Sequence, residues 1–303
     1  MKMKMERERR RRMEKGNQKI NLQINLPSWY RTRREDEVIL RALSLPNGGM
    51  RALCVFGPPG VGKTALAHAV AEAWRAEEIY FLAHHWVSEE DLFVKLDPAR
   101  VAGLAGGVYQ EMEEAYRPGV LLRAALSSLK RPTVLILDEW DKAPERCDAL
   151  LLEFLQEGKV YGPFGECWEA SPERLIVFIT SNELRDLSEP LLRRVLRYRM
   201  GFLPSEVEAD LIRKQSGVSV AVARLIVAFM AAIRSKGASS PSLQEGIRLA
   251  QSLGIAESAQ DFRVLLEGWL CKMPEDYEVL RQEFKAPEAV LWGEIKRRGR
   301  RNE

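Results

Sequence analysis

Phe56-Gly57-Pro58-Pro59-Gly60-Val61-Gly62-Lys63-Thr64-Ala65 is the stretch whose reading decides the fold. From Gly57 to Thr64 it fits G-x-x-x-x-G-K-[ST] at every fixed position; the apolar run Ala52 to Phe56 precedes it, and an alanine-rich helical segment, Ala65 to Trp74, follows. A strand that delivers the chain into a glycine turn, and a helix that receives it, aim backbone N–H groups and a partly positive helix end at one anion. Gly57, Pro58, Pro59, Gly60, Val61, Gly62, Lys63, Thr64 and Ala65 are therefore the candidate phosphate-binding set. Lys63 is expected to meet the β- and γ-phosphates as a point charge, and the Thr64 hydroxyl to complete the shell of a Mg²⁺ ion. The plain alternative is a ligand-free connection between strand and helix, which the complete motif in this context disfavours.

Further along, Thr133 to Leu137 is a continuous β-branched and leucine run, suited to a strand buried on both faces of a parallel sheet. It ends in Asp138-Glu139. Two carboxylates there are costly to bury unless they serve a cation, and strands alternate with helices between this run and the glycine loop, so both strand ends can open onto one crevice. Asp138 is the candidate Mg²⁺ partner with Thr64, and Glu139 the base that orients and deprotonates a water. A solvent-facing strand cap is the alternative for the pair. A second buried run, Leu175 to Thr180, ends in Ser181-Asn182, placed to sense a γ-phosphate or its water. A short helix from Ser188 then carries Arg193 and Arg194.

The rest of the chain frames these parts. Its 303 residues are 46% hydrophobic, enough for a real core, and the net charge of +3 points to no particular partner. Residues 1–26 form a basic arm expected to be disordered, and residues 273–303 a helical basic tail; both charged ends read first as solubilising. The four cysteines lack C-x-x-C spacing, which suggests neither a disulfide framework nor a zinc site. His84 and His85 read as the end of the second strand, where neighbours diverge and make a poor metal pair. There is no apolar leader, and Val218 to Ile233 is too short for a span, so a cytoplasmic protein is expected. Glu157 to Trp168 reads as a hairpin around a glycine turn. From Pro204 the pattern becomes all helix.

The order of these motifs resembles the AAA+ ATPases. That resemblance implies an α/β P-loop NTPase fold: a parallel sheet with helices on both faces in residues 27–203, then a small all-helical lid in residues 204–272. The run Leu137 to Pro144, the segment Leu150 to Gly158 and the hairpin after it look most like the MoxR-like branch. Carried over by position, Gly57, Gly60, Gly62, Lys63 and Thr64 match the Walker A loop, Asp138 and Glu139 the Walker B pair, and Asn182 sensor 1. Arg194, with Arg193 as the near alternative, matches the arginine finger that acts on a neighbouring subunit's nucleotide. Where the family often places a sensor 2 arginine, this chain has Ser240-Pro241-Ser242-Leu243, with Arg248 lower on that helix as a substitute. The absence of an Asn-Lys-x-Asp motif favours ATP over GTP.

ATP and Mg²⁺ are thus the expected ligands. The family reading implies a homo-oligomeric ring, with a hexamer suggested, that remodels or matures a protein partner; a von Willebrand A-type adaptor is the implied companion. A nucleic-acid motor or loader needs basic residues on the channel side, and the hairpin offers only Lys159 against Glu157 and Glu166. A nucleotide-gated module with little hydrolysis would need neither Glu139 nor the arginine pair.

Overall fold

The computed structural model describes residues 25–45, 49–105, 116–163 and 165–299. All but the last two residues of the expected basic arm lie outside these ranges, as do the last four residues of the chain. The elements begin with α1 (Arg34–Leu43), β1 (Arg51–Phe56), α2 (Lys63–Ala73), β2 (Glu77–Leu82), α3 (Glu89–Leu92), β3 (Val94–Leu96) and α4 (Pro98–Ala105). There follow β4 (Tyr116–Pro118), α5 (Val120–Lys130), β5 (Thr133–Asp138), α6 (Arg146–Glu157), β6 (Lys159–Tyr161), β7 (Cys167–Glu169), β8 (Leu175–Ser181), α7 (Glu189–Leu192) and β9 (Leu196–Arg199). The remainder is helical: α8 (Ser205–Ser216), α9 (Val220–Lys236), α10 (Leu243–Ser252), α11 (Ala259–Trp269), α12 (Pro274–Phe284) and α13 (Pro287–Gly299).

The chain divides into two compact units. One joins the chain up to Phe56 with Thr64–Tyr198; the other joins Gly57–Lys63 with the chain from Arg199 onward. The first is built on a five-stranded sheet in the order β2-β5-β8-β1-β9, in which β2–β5, β5–β8 and β8–β1 pair in parallel. Side chains alternate across a strand. Ala52, Cys54, Leu135, Leu137, Leu175, Val177 and Ile179 accordingly join one core with residues of α5 and α6. The intervening Leu53, Val55, Val134, Ile136, Ile176 and Phe178 are also buried, so the central strands are covered on both faces. That is why they read as unbroken apolar runs.

The register brings the strand ends level. Phe56 lies opposite Ser181, Val55 opposite Thr180 and Leu82 opposite Asp138. The mixed region after Asp91 resolves into short elements, β3 and β4 pairing antiparallel, and β6 with β7 forms the expected hairpin. β2 ends at Leu82, so His84 and His85 lie beyond it in a turn rather than at its end, both exposed, with His84 Nδ1 accepting the Trp86 N–H at 3.2 Å. No cluster of metal-ligating side chains occurs among the described residues.

In the second unit α9 is the central helix. Ser219 caps it, accepting the Val222 N–H at 3.2 Å, and Val222, Ile226, Phe229 and Ile233 recur at the spacing of one buried helix face. Leu249, Phe262 and Leu266 complete the core, and Leu280 and Leu291 place α12 and α13 in it too. Arg234 of α9 and Glu208 of α8 form a two-bond ion pair at 2.7 and 2.9 Å with the carboxylate side chain only 2% exposed. The Arg234 Nε also donates to the Pro241 carbonyl at 2.8 Å.

Candidate nucleotide and metal site

The loop Gly57–Lys63 is shaped by glycine. Gly57, Gly60 and Gly62 have φ of 146°, 76° and 102°, a region costly for side chains. Two of them also leave no room for one. A Cβ on Gly57 would meet the Met200 carbonyl oxygen at 2.2 Å, and one on Gly60 would meet the Ser242 Cβ at 2.2 Å. Lys63 is buried, and its ammonium donates to the carbonyls of Gly57 at 2.6 Å and Pro58 at 2.8 Å. Ser242, from the Ser240–Leu243 segment, caps α10 in a capping box with Glu245. Arg248 is exposed, its guanidinium 5.7 Å from the Trp269 ring centroid.

One peptide bond beyond Lys63, Thr64 begins the contacts made in the sheet unit. Its hydroxyl donates to Oδ1 of Asp138 at 2.8 Å. Thr180 donates to the same oxygen at 2.6 Å, and Tyr80 donates to Oδ2 at 2.8 Å. Asp138 is thus a buried carboxylate satisfied by three hydroxyl groups, a low-cost way to keep an anion at a strand end. Burial first, then the bond to Asp138, pushes the Tyr80 phenol up to about 12.

Glu139 follows with φ 53° and ψ 44°, a left-handed conformation uncommon for a residue with a side chain. Its N–H donates to the Thr180 hydroxyl at 2.8 Å. Both of its carboxylate oxygens are engaged: Oε1 accepts from Asn182 Nδ2 at 3.1 Å and Oε2 from the Lys142 ammonium. The bond to Glu139 is the main cause raising the Lys142 pKa, against some desolvation.

The arginine pair lies elsewhere in this chain. Arg193 pairs with Glu189, while Arg194 donates to the Pro190 carbonyl at 2.8 Å and to Gln156 Oε1 at 2.9 Å. Neither contacts Asp138 or Glu139. The fold therefore brings together Thr64, Asp138, Glu139 and Asn182, while Arg193 stays on its own helix and Arg194 turns to Gln156 of α6. Tyr80, Thr180, Asp141 and Lys142 are partners that the sequence reading missed. Thr180 and Tyr80 carried a faint signal as polar residues in otherwise apolar runs; only the order β2-β5-β8 makes them neighbours of Asp138.

Residues 52–195, from β1 through α7, match the model of the AAA domain, dynein-related subfamily. The matched segment is similar to AAA domains over just under half of the chain. Its relatives support placing it with the AAA+ ATPases. Lon protease 2 of Borreliella burgdorferi is 31% identical over 158 residues, which is 47% of this chain and 17% of that protein. The spastin homolog of Caenorhabditis elegans is 27% identical over 193 residues, 59% of this chain and 32% of that protein. The chain thus spans less than a third of the length of these relatives. Among solved structures, a RuvB point mutant of Thermotoga maritima is similar at TM-score 0.44 and 16% identity, over 81% of this chain and 69% of that one. No helix among the described residues is long and apolar enough to cross a membrane.

Proposed function

We propose that this chain is a Mg²⁺-dependent ATPase of the MoxR-like branch, with residues 27–203 as the ATPase core and 204–272 as its lid. The observation that carries the reading is the Asn182–Glu139 contact at the ends of neighbouring strands, beside an Asp138 bonded to Thr64. A carboxylate held by an amide next to a paired Thr and Asp suits water activation beside a bound cation. A nucleotide-gated module needs no such base.

Thr64 and Asp138 offer hard oxygen donors with no nitrogen or sulfur among them, the donor class Mg²⁺ prefers. When bound, the ion would neutralise charge on the β- and γ-phosphates. The N–H groups of Gly57–Lys63 would receive the phosphate oxygens, and the Lys63 ammonium would exchange two neutral carbonyl acceptors for an anion, a stronger bond. Glu139 would take a proton from water as the water oxygen bonds to the γ-phosphorus and the bond to ADP breaks. Asn182 would hold Glu139 and that water in register. Arg193 or Arg194, pointing to no acidic group of its own site, would act on the nucleotide of a neighbouring copy in a ring, which the family resemblance suggests is a hexamer.

The work done by the ring would be remodelling or maturation of a protein partner, with a von Willebrand A-type adaptor as the companion the branch suggests. ATP turnover per subunit, measured against protein concentration with sizing of the same samples, tests the reading. A finger supplied in trans is worth about 10³ to 10⁵ in rate, so turnover should rise cooperatively with assembly. Absence of turnover in an assembled, Mg²⁺-loaded sample would overturn it.

A further inference from the structure

Asn182 reaches Glu139 from a different strand, and something must hold its loop. Asp141 stands two residues after Glu139, on the 3₁₀ turn Trp140–Lys142. Its Oδ2 accepts two backbone N–H groups of the loop after β8, those of Asn182 and Leu184, each at 2.9 Å. Glu183 between them has φ 62°, the left-handed turn that lets N–H groups two residues apart converge on one oxygen. The Glu183 N–H is taken by the Ser181 hydroxyl at 3.0 Å.

The turn that carries Asp141 is itself anchored. Trp140 is fully buried and its Nε1–H donates to Asp148 Oδ1 at 2.9 Å. Asp148 in turn receives the Arg185 guanidinium at 2.7 and 3.1 Å and the Ser188 N–H at 2.8 Å. Asp141 is only 5% exposed, and its Oδ1 meets no hydrogen-bond donor among the described residues. A carboxylate buried with one oxygen unpartnered is costly, so stability alone gives little reason for this residue type. Its charge does strengthen both N–H bonds to the loop.

We infer that Asp141 is a positioning residue for ATP hydrolysis: it clamps the 182–184 loop to the turn behind Glu139, so that the Asn182 amide meets the Glu139 carboxylate. Thr180 already joins the two strand ends through Asp138 and the Glu139 N–H. Beyond them the turn after β5 meets the 182–184 loop through the Asn182–Glu139 and Asp141–backbone bonds, and removal of the second loosens the loop that presents Asn182. This inference rests on the ATPase reading above.

The experiment is a steady-state comparison, with sizing controls, of the full chain and of the variants Asp141→Ala, Asp141→Asn, Asn182→Ala and Asp141→Ala/Asn182→Ala. ATP affinity is followed separately by a fluorescent ATP analogue with Mg²⁺. Asp141→Ala should lower kcat by about tenfold or more with KM and analogue affinity within about twofold, the pattern of a lost transition-state interaction. Asp141→Asn keeps an amide oxygen for the two N–H groups and should recover most of the rate. The double variant should be no slower than Asn182→Ala alone, because Asp141 acts through Asn182. Multiplying losses in the double variant, a fall in affinity as large as the fall in kcat, or a wild-type rate in Asp141→Ala would overturn the inference and leave the ATPase reading intact. No turnover in the wild type would overturn both.

Discussion

Asn182 Nδ2 lies 3.1 Å from Glu139 Oε1, joining residues 43 positions apart that close neighbouring parallel strands. The bond depends on β5 and β8 ending at the same level and on a left-handed Glu139 that turns its side chain toward β8. Nucleotide chemistry at this site would use that alignment, because a base misplaced by about 1 Å can cost on the order of 10² in rate.

Replacing Glu139 by Gln preserves shape and the Asn182 contact while removing the carboxylate proposed as the base. ATP binding should persist and turnover should fall by about 10² to 10⁴. Turnover and analogue binding measured on one preparation decide this, and an unchanged rate removes Glu139 as the base.

Lys63→Ala removes the ammonium now held by the Gly57 and Pro58 carbonyls. Wild type should gain up to about 2.7 kcal/mol of stability at ATP concentrations a hundred times Kd. The variant should show no such gain in thermal melts with Mg²⁺; a retained shift places the nucleotide elsewhere.

Gly60→Ala puts a Cβ at φ 76° and into the Ser242 Cβ. The strain should cost about 1–3 kcal/mol and weaken nucleotide binding as the loop shifts. Urea unfolding with and without ATP reports both effects. Ala at Gly165, also at positive φ but in open space, is the comparison that separates backbone strain from the collision.

Arg234→Ala leaves Glu208 buried without its cation and frees the Pro241 carbonyl. The expected loss is about 3–5 kcal/mol, whereas replacing both partners by apolar residues of similar size should cost far less. Denaturation of the single and double variants discriminates a needed charge pair from a needed shape.

Asp276 sets an acid limit to stability. It is fully buried, and burial raises its pKa, but the Ser239 hydroxyl and the N–H groups of Met273, Ser239 and Ala238 outweigh that and bring it below the ordinary carboxylate range. A depressed folded-state pKa means that its stabilisation is present above the unfolded value, about 4, and is lost as pH falls through the folded value. Melting temperatures of wild type and Asp276→Asn should differ at neutral pH and approach each other below pH about 4. A constant gap down to strong acid would show that the carboxylate charge is not what stabilises this corner.

Much of this was legible in the chain itself. The glycine loop is a local pattern, since three positive φ values and a helix start depend on near neighbours. The apolar runs of β5 and β8, each ending in polar residues, similarly announce buried strands and what their ends present. Boundaries held less firmly: β2 stops before the two histidines, and the short elements between Asp91 and Gly119 carry too few residues to leave a periodic signature.

What the sequence by itself determined is therefore the kind of chemistry on offer: an anion loop, a lysine, a threonine, and carboxylate and amide groups at strand ends. Which of them meet was decided by the tertiary structure. Strand order put Tyr80 and Thr180 on Asp138, and it put Asp141 on the Asn182 loop. The physical reason is that apolar burial is non-directional and fixes each strand as buried almost irrespective of its neighbour. Hydrogen bonds that place a carboxylate to within a few tenths of an ångström exist only after register and strand order are chosen, between residues that the chain holds far apart.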